Sequence, residues 1–478
     1  MELLDKVARR RIGVNVLSVF GGDALNKAGT FFVYVFVGRM LGVYEFGQLS
    51  IGMLLLYTFQ VLSAAGLPVA LTRWVTRCPG YSTYLLRQSY RASILPSSLS
   101  ILGMWGVAFL MEYDSATLKI ITVLSVAIPL YTLTTITEAV IKGREQMHLI
   151  PVGNLCGNLF LVTGTSVLLL QGFGVLAVAY VVVCSKIATL LVIQSLYRNN
   201  VAGSVQRVRQ SGSFLKLLPR AFVFFGIDGL QAINASVLVL LLSKIGGEVE
   251  VGLFAAAVQL LQPMQTFYRS LGHSLFPPLI LAARSSAGAL TRLTRVTLTL
   301  VLRVSIPVSL LMCCFAQEIL GVVYGGVEFH RSVVVLQILS FSLLFFPLPP
   351  VLGHALWAVN LERSVLRIVV VNFVARVLFG FVLIYGFGLI GAAVSVLACS
   401  GLNVLQHYLL YCQKVGKLAL WKELWKLVPG ILLALACVLL FPFHRYVNVT
   451  IGLILYALLT FRSVFRLSSL TQVNREST

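Results

Sequence analysis

A chain of 478 residues in which 58% are apolar and only 11% charged holds less than half the charge of a soluble domain, roughly 25%. A soluble protein of this length would divide into two or three domains with polar surfaces, and no stretch here supplies such surfaces. The net charge of +21 is spread between apolar runs instead of gathered in a patch or tail, so no nucleic-acid partner is expected.

Apolar runs of about twenty residues, separated by short polar breaks, predict bilayer-spanning helices. In chain order the spans are 13–38, 47–74, 89–111, 117–141, 149–171, 174–197, 219–243, 250–276, 299–324, 332–357, 364–385, 389–412, 425–442 and 447–465. The fold class is thus an all-α polytopic membrane protein of about fourteen transmembrane helices. A basic stretch precedes the first run, as in a secretory signal. Asp23 and Lys27 interrupt that run and no small-residue cleavage site follows, so it reads as a retained helix.

Loops that stay in the cytoplasm keep their Lys and Arg. With the N-terminus inside, the inner segments hold 28 of the 37 basic residues, and the outer ones hold Arg39, Lys119, Lys244, Arg331 and Arg445. Both termini are therefore expected in the cytoplasm and the chain in the cytoplasmic membrane. The eight cysteines show no CxxC or Cys/His ligand spacing, so neither a metal site nor a cofactor is expected.

The chain repeats itself at an offset of 205. Phe20-Gly21-x-Asp23-x-Leu25 matches Phe225-Gly226-x-Asp228-x-Leu230, and Gly42, Glu45 and Gly47 fall on Gly247, Glu250 and Gly252. Further on, Pro96 pairs with Pro307, Pro129-Leu130 with Pro347-Leu348, Asn158 with Asn372, and Gly172-Phe173-Gly174 with Gly386-Phe387-Gly388. Spans 1–6 thus correspond to spans 7–12. Six is even, so the halves share one orientation about an axis along the membrane normal. The expected division is an N-terminal lobe 1–200, a C-terminal lobe 201–413, and 414–478 carrying the last two helices and a tail.

A charge at bilayer depth costs roughly 2.5–3.5 kcal/mol on insertion scales, so each one calls for an account. Asp23 and Lys27 stand at i and i+4 in the favourable order. They read either as a self-neutralising pair or as cavity residues whose Lys exchanges Asp23 for a substrate anion. The second half keeps the acid as Asp228 but has Ala232 where Lys27 stands, so Asp228 needs another partner. Lys186, Arg269 and Arg376 are further cations within spans, read as structural, snorkelling or anion-binding. The four cations against Asp23 and Asp228 leave a surplus of two, with Glu138 set aside near the end of span 4. Asn26, Asn158, Gln265 and Asn372 are polar cavity candidates that equally suit interhelical hydrogen bonds. Gly66-Leu67-Pro68 and the prolines 347, 349 and 350 are expected to break spans 2 and 10.

The stretch Gly38-Arg39-Met40-Leu41-Gly42-Val43-Tyr44-Glu45-Phe46-Gly47, followed by Gly66-Leu67-Pro68-Val69-Ala70-Leu71-Thr72-Arg73, resembles the start of Wzx-type polysaccharide flippases. These belong to the multidrug/oligosaccharidyl-lipid/polysaccharide (MATE-like) exporter superfamily. Glu250-Val251-Gly252-Leu253-Phe254-Ala255-Ala256-Ala257 and Gly386-Phe387-Gly388-Leu389-Ile390-Gly391-Ala392-Ala393 resemble two later junctions of the same family. The resemblance implies a V-shaped, two-lobed transporter that turns over an undecaprenyl- or dolichyl-linked oligosaccharide by alternating access, without being an enzyme. It implies cavity roles for Lys27, Lys186, Arg269 and Arg376, and membrane lipids, a polysaccharide polymerase or glycosyltransferases as partners. Asp23 and Asp228 would serve a coupling H⁺ or Na⁺ or a structural role. The alternative is a cation-coupled multidrug exporter of the same fold, which the cationic surplus opposes. A membrane glycosyltransferase would need paired carboxylates and a large loop, and neither occurs.

Overall fold

The computed structural model describes residues 2–201, 218–418, 425, 428, 429 and 456, with side chains described except at 2–25, 218–224, 227, 269 and 271–277. Spans 13 and 14 lie outside the described residues apart from those isolated positions. Among the described residues the regular structure is all helical. α1 (Glu2–Ala64), α2 (Leu67–Arg77), α3 (Ser82–Leu110), α4 (Ser115–Ser125), α5 (Ala127–Gly143), α6 (Ile150–Leu170) and α7 (Val175–Asn200) cover the first six spans. α8 (Leu218–Ser285), α9 (Ala287–Cys314), α10 (Ala316–Tyr324), α11 (Ser332–Phe345), α12 (Leu348–Ala358) and α13 (Glu362–Lys414) cover the next six. Eight helices among the described residues are long and apolar enough to cross a membrane.

Three of these helices each contain two spans folded at a glycine. Gly42 in α1 (φ 81°, ψ −178°), Gly247 in α8 (φ 76°, ψ −173°) and Gly388 in α13 (φ 53°, ψ −128°) leave helical geometry. A side chain at such positive φ is strained, and glycine is not. At Gly42 the reversal is sharp. The rings of Tyr34 and Phe46, which would be about 18 Å apart along a straight helix, meet at 5.9 Å.

The breaks expected in spans 2 and 10 occur as well. Gly66 takes a left-handed conformation (φ 68°) between α1 and α2, and Phe346 and Pro347 separate α11 from α12. Pro96 and Pro307 both stand inside uninterrupted helices, α3 and α9. The repeat read from identities is thus also a repeat of backbone conformation.

The solvent that this fold expects is written on α3. Its inward face carries Ser89, Ser93, Ser97 and Ser100, all buried, while Leu95, Leu99, Leu102 and Phe109 are exposed. Water would enforce the reverse. In lipid the apolar side chains lose nothing by facing out, and small residues let helices approach closely. α3 uses its serine face against α1 and α5.

Contacts gather the chain into two units. The first comprises residues 1–259 and 323–329, so α1–α7 and α8 up to residue 259 pack together. At one end of this unit the loops meet. Tyr44 donates to Asp114 at 3.4 Å, the Val175 N–H to Glu45 at 3.0 Å, the Val43 N–H to Glu328 at 3.1 Å, and Lys244 pairs with Glu112 at 2.7 Å. The Lys244 charge and hydrogen bond hold the exposed Glu112 carboxyl below the usual carboxylate range. These loops join span 1 to 2, 3 to 4, 5 to 6, 7 to 8 and 9 to 10, as alternating crossings require. The opposite end is sealed by an apolar core including Leu71, Val75, Leu85, Ile136 and Ile193.

At the corner end, Gly47 and Gly252 cross in contact. A methyl group on Gly47 would strike the Glu248 carbonyl, and one on Gly252 the Val43 carbonyl. Residues 43 and 47 are the repeat partners of 248 and 252, so the contact is two-fold symmetric in sequence.

The second unit comprises residues 260–322 and 330–478. Its core joins α9, α12 and α13 through residues such as Leu290, Leu298, Leu352, Val365 and Tyr411.

Candidate functional site

In the first unit, polar side chains converge between α1, α5, α6, α7 and α8. Glu138 of α5 is the hub: Asn154 of α6 donates to it at 3.3 Å, Lys142 approaches to 3.7 Å, and Lys186 of α7 interacts with it electrostatically. About two turns away on α5, Tyr131 lies within the electrostatic reach of Glu138, of Tyr57 on α1 and of Asp228 on α8. Gly229, beside that acid, lies so near Leu62 of α1 that a methyl group on it would sit 3.0 Å from that side chain. Asp228 thus stands among residues of the first six spans, its carboxylate exposed.

Lys186 therefore has a carboxylate opposite it, and Glu138 belongs in the interior charge count from which sequence reasoning left it out. Lys27 is exposed on α1, and the neighbouring Asn26 is half-buried with its carbonyl accepting from Thr30 at 3.0 Å. Asn158 is buried on α6, its amide lodged against Gly29 of α1. This is the packing of an interhelical polar residue. The side chains of Asp23 and Arg269 lie outside the described residues.

The second unit is built differently. Asn372 donates to the Ile368 carbonyl at 2.9 Å and to Gln406 at 2.6 Å, tying the two limbs of α13 together across the Gly388 fold. The Asn372 Oδ1 is buried without a partner among the described residues. Arg376, one turn on, is half-buried beside the Cys399 thiol. Gln265 is half-buried on α8.

Sequence reasoning missed Arg303. With the span drawn from residue 299 it stood only four residues inside the edge and was counted with the basic flank, but α9 begins at Ala287, which places Arg303 about 24 Å along the helix. It is 5% exposed, and its Nε has no partner among the described residues. Tyr456 donates to its carbonyl at 3.3 Å. The signal available in the sequence was the run of Thr and Leu from Thr291 to Thr299, which continues the helix backward past its basic residues.

No described carboxylate pairs with Arg303 or Arg376. The second unit contains four acids in all. Glu318 is fifteen residues beyond Arg303 on α10, Glu362 opens α13 fourteen residues before Arg376, and Glu423 and Glu476 stand outside the predicted spans. With Glu138 and Arg303 both counted, the interior surplus remains two positive charges, but its distribution changes. The first unit holds Lys27 and Lys186 against Asp23, Glu138 and Asp228; the second holds Arg269, Arg303 and Arg376 against none.

Over residues 12–282, more than half of its length, the chain matches the family described as polysaccharide biosynthesis protein. The chain belongs to this family. Among curated proteins similar to this chain, a probable low-salt glycan biosynthesis flippase, Agl15 of Haloferax volcanii, is 31% identical over 93 residues. That stretch spans 20% of each chain. Among solved structures, the lipid II flippase MurJ in an inward closed conformation superposes with a TM-score of 0.71 at 14% identity, over 94% of this chain and 99% of that one. An inward-facing multidrug resistance MATE transporter of the MOP superfamily superposes with a TM-score of 0.64 at 14% identity, over 86% and 98%. The fold of this family member is thus the one shared by MurJ and MATE transporters.

Proposed function

We propose that this protein is a flippase that moves a polyprenyl-(pyro)phosphate-linked oligosaccharide across the cytoplasmic membrane by alternating access. The observation that supports it is the set of arginines without acids in the second unit. A guanidinium inside a membrane needs a counter-charge, and its planar fork matches the oxygens of a phosphate. A diphosphate head brings that counter-charge while the polyprenyl tail stays in lipid. A multidrug exporter for cationic compounds would call for the opposite sign at these positions.

In this reading both termini face the cytoplasm, as the basic segments indicate, and the loop end with Gly42 and Gly247 faces outward. The halves 1–200 and 201–413 act as lobes, with 414–478 adding the last two helices and the tail. Lys27, Lys186, Arg269 and Arg376 contact the substrate head, and Arg303 joins them. Asp228, with Tyr131 and Glu138, takes up a coupling H⁺ or Na⁺, and Asp23 shares that role. Glycosyltransferases supply the substrate and a polymerase consumes it; the protein itself makes and breaks no bond.

The test is reconstitution of the full chain in liposomes with a fluorescent undecaprenyl-pyrophosphate oligosaccharide in the accessible leaflet. Outward movement by the wild type, reduced about tenfold or more in Arg303→Met and Arg376→Met, is the expected result. Movement of a cationic dye with no movement of the lipid-linked sugar would overturn the reading.

A further inference from the structure

Arg303 does not stand alone on α9. Arg292 and Arg295 lie on the same side of the helix, about 16 and 12 Å below it. The three change in exposure as they ascend: Arg292 is exposed, Arg295 half-buried and Arg303 buried. No acid interrupts α9 between Ala287 and Cys314.

The lower two arginines open into a cavity of about 430 Å³. Its floor is the first turn of α9, at Ala287 and Gly288, and its far wall is the segment after α13, where Gly416 and Lys417 lie. Gly416 approaches the Thr291 hydroxyl so closely that a methyl group there would sit 3.0 Å from it. Below this wall, the Tyr411 hydroxyl donates to Thr294 at 3.3 Å. The wall is therefore fixed to the helix it faces.

Three cations from two separate segments thus line an open hollow large enough for a diphosphate. In the first turn of α9 the Ser286 hydroxyl caps the Ala289 N–H at 3.0 Å, which leaves the backbone N–H groups of Ala287 and Gly288 at the cavity, and such groups favour an anion. Basic residues that serve only to orient a membrane protein need no hollow between them; these line an open one, and a buried arginine stands above it on the same face.

We infer that this cavity is a loading site for the phosphate of a lipid headgroup arriving from the leaflet that the basic loops face. The headgroup first meets Arg292, Arg295 and Lys417, and Arg303 is the next cation inward. This rests on the flippase reading for its direction of travel, but not for its chemistry. The phosphate belongs either to the transported polyprenyl diphosphate or to an ordinary anionic phospholipid.

The experiment measures binding of two probes, undecaprenyl pyrophosphate and phosphatidylglycerol, to the full-length protein in detergent by native mass spectrometry. The variants are Arg292→Gln/Arg295→Gln, Arg295→Lys, and Arg284→Gln, whose exposed arginine at the end of α8 does not line the cavity. The double variant is expected to bind undecaprenyl pyrophosphate about tenfold more weakly. Arg295→Lys falls between it and the wild type, and Arg284→Gln matches the wild type. Loss confined to undecaprenyl pyrophosphate assigns the site to the substrate; equal loss of both probes assigns it to headgroup phosphates in general. Unchanged binding of both in the double variant, equal losses in Arg284→Gln, or no binding by the wild type overturns the inference. Failure of the liposome assay alongside a loss of phosphatidylglycerol binding would remove the flippase reading and leave the cavity standing.

Discussion

The two contact units treat charge inside the membrane in opposite ways. In the first, Lys186 faces Glu138, whose remaining lone pairs are taken up by Asn154 and Lys142. In the second, Arg303 and Arg376 stand in helices without a described carboxylate partner. A compensated pair costs desolvation but holds its helices in register. An uncompensated arginine holds nothing in place and stays costly until an anion arrives. In the proposed flippase, the contrast separates a scaffold from a receptor within one fold.

Substitutions break that contrast in graded ways. Lys186→Met removes one of the two cations that act on the enclosed Glu138, while Asn154 and Lys142 stay in place, and is expected to lower stability by about 1–3 kcal/mol. Chemical denaturation in detergent checks this, and Glu138→Gln added to it should restore most of the loss. If the single change is silent, the pair is not a structural one. Gly47→Ala drives a methyl group into the Glu248 carbonyl, a backbone atom that cannot rotate away. The expected cost is about 1–3 kcal/mol, and Gly252→Ala should match it, because its methyl meets the equivalent carbonyl of Val43. A large difference between the two would show that the crossing is not symmetric in energy.

Arg303→Met is expected to cost less than about 1 kcal/mol of stability, since no acid loses its partner, while transport falls as described above. A loss of several kcal/mol instead would move Arg303 into the scaffold. Smallest is the surface pair at the loop end. Lys244 holds the Glu112 carboxyl low, so the stability that this pair contributes is present above the ordinary carboxylate range and fades as pH falls through the lowered value. In Lys244→Ala the titration of Glu112, followed by NMR, should return upward to the ordinary range.

Much of this architecture is legible in the sequence because the bilayer is an undemanding reader. Runs of apolar residues predict fourteen spans, of which the described helices cover the first twelve, and Gly42 and Gly247, matched at an offset of 205, mark two of the places where the chain folds back. The resemblance carried by residues 38–73 agrees with the family shown by the match over 12–282. The interior was less legible. Glu138 sits near the end of its span, where an acid is ordinarily solvated, and only the neighbouring helices α6 and α7 reveal that it is enclosed. Arg303 was misplaced for the converse reason: α9 extends a dozen residues beyond its most apolar part, so hydropathy located the bilayer edge too late. Asn158 and Asn372, paired by the repeat, have diverged in surroundings, one lodged against a glycine and the other in an amide network with Gln406. Periodicity does not distinguish these.

The crossing of Gly47 and Gly252 has a bearing on origins. Each glycine admits a carbonyl from the repeat partner of its own hairpin, so one surface patch meets its duplicate face to face. A solitary ancestral half bearing such a hairpin would meet a second copy through that same patch, the geometry of an isologous homodimer. Gene fusion would then have freed the two copies to specialise, one toward self-neutralisation and the other toward cation surplus.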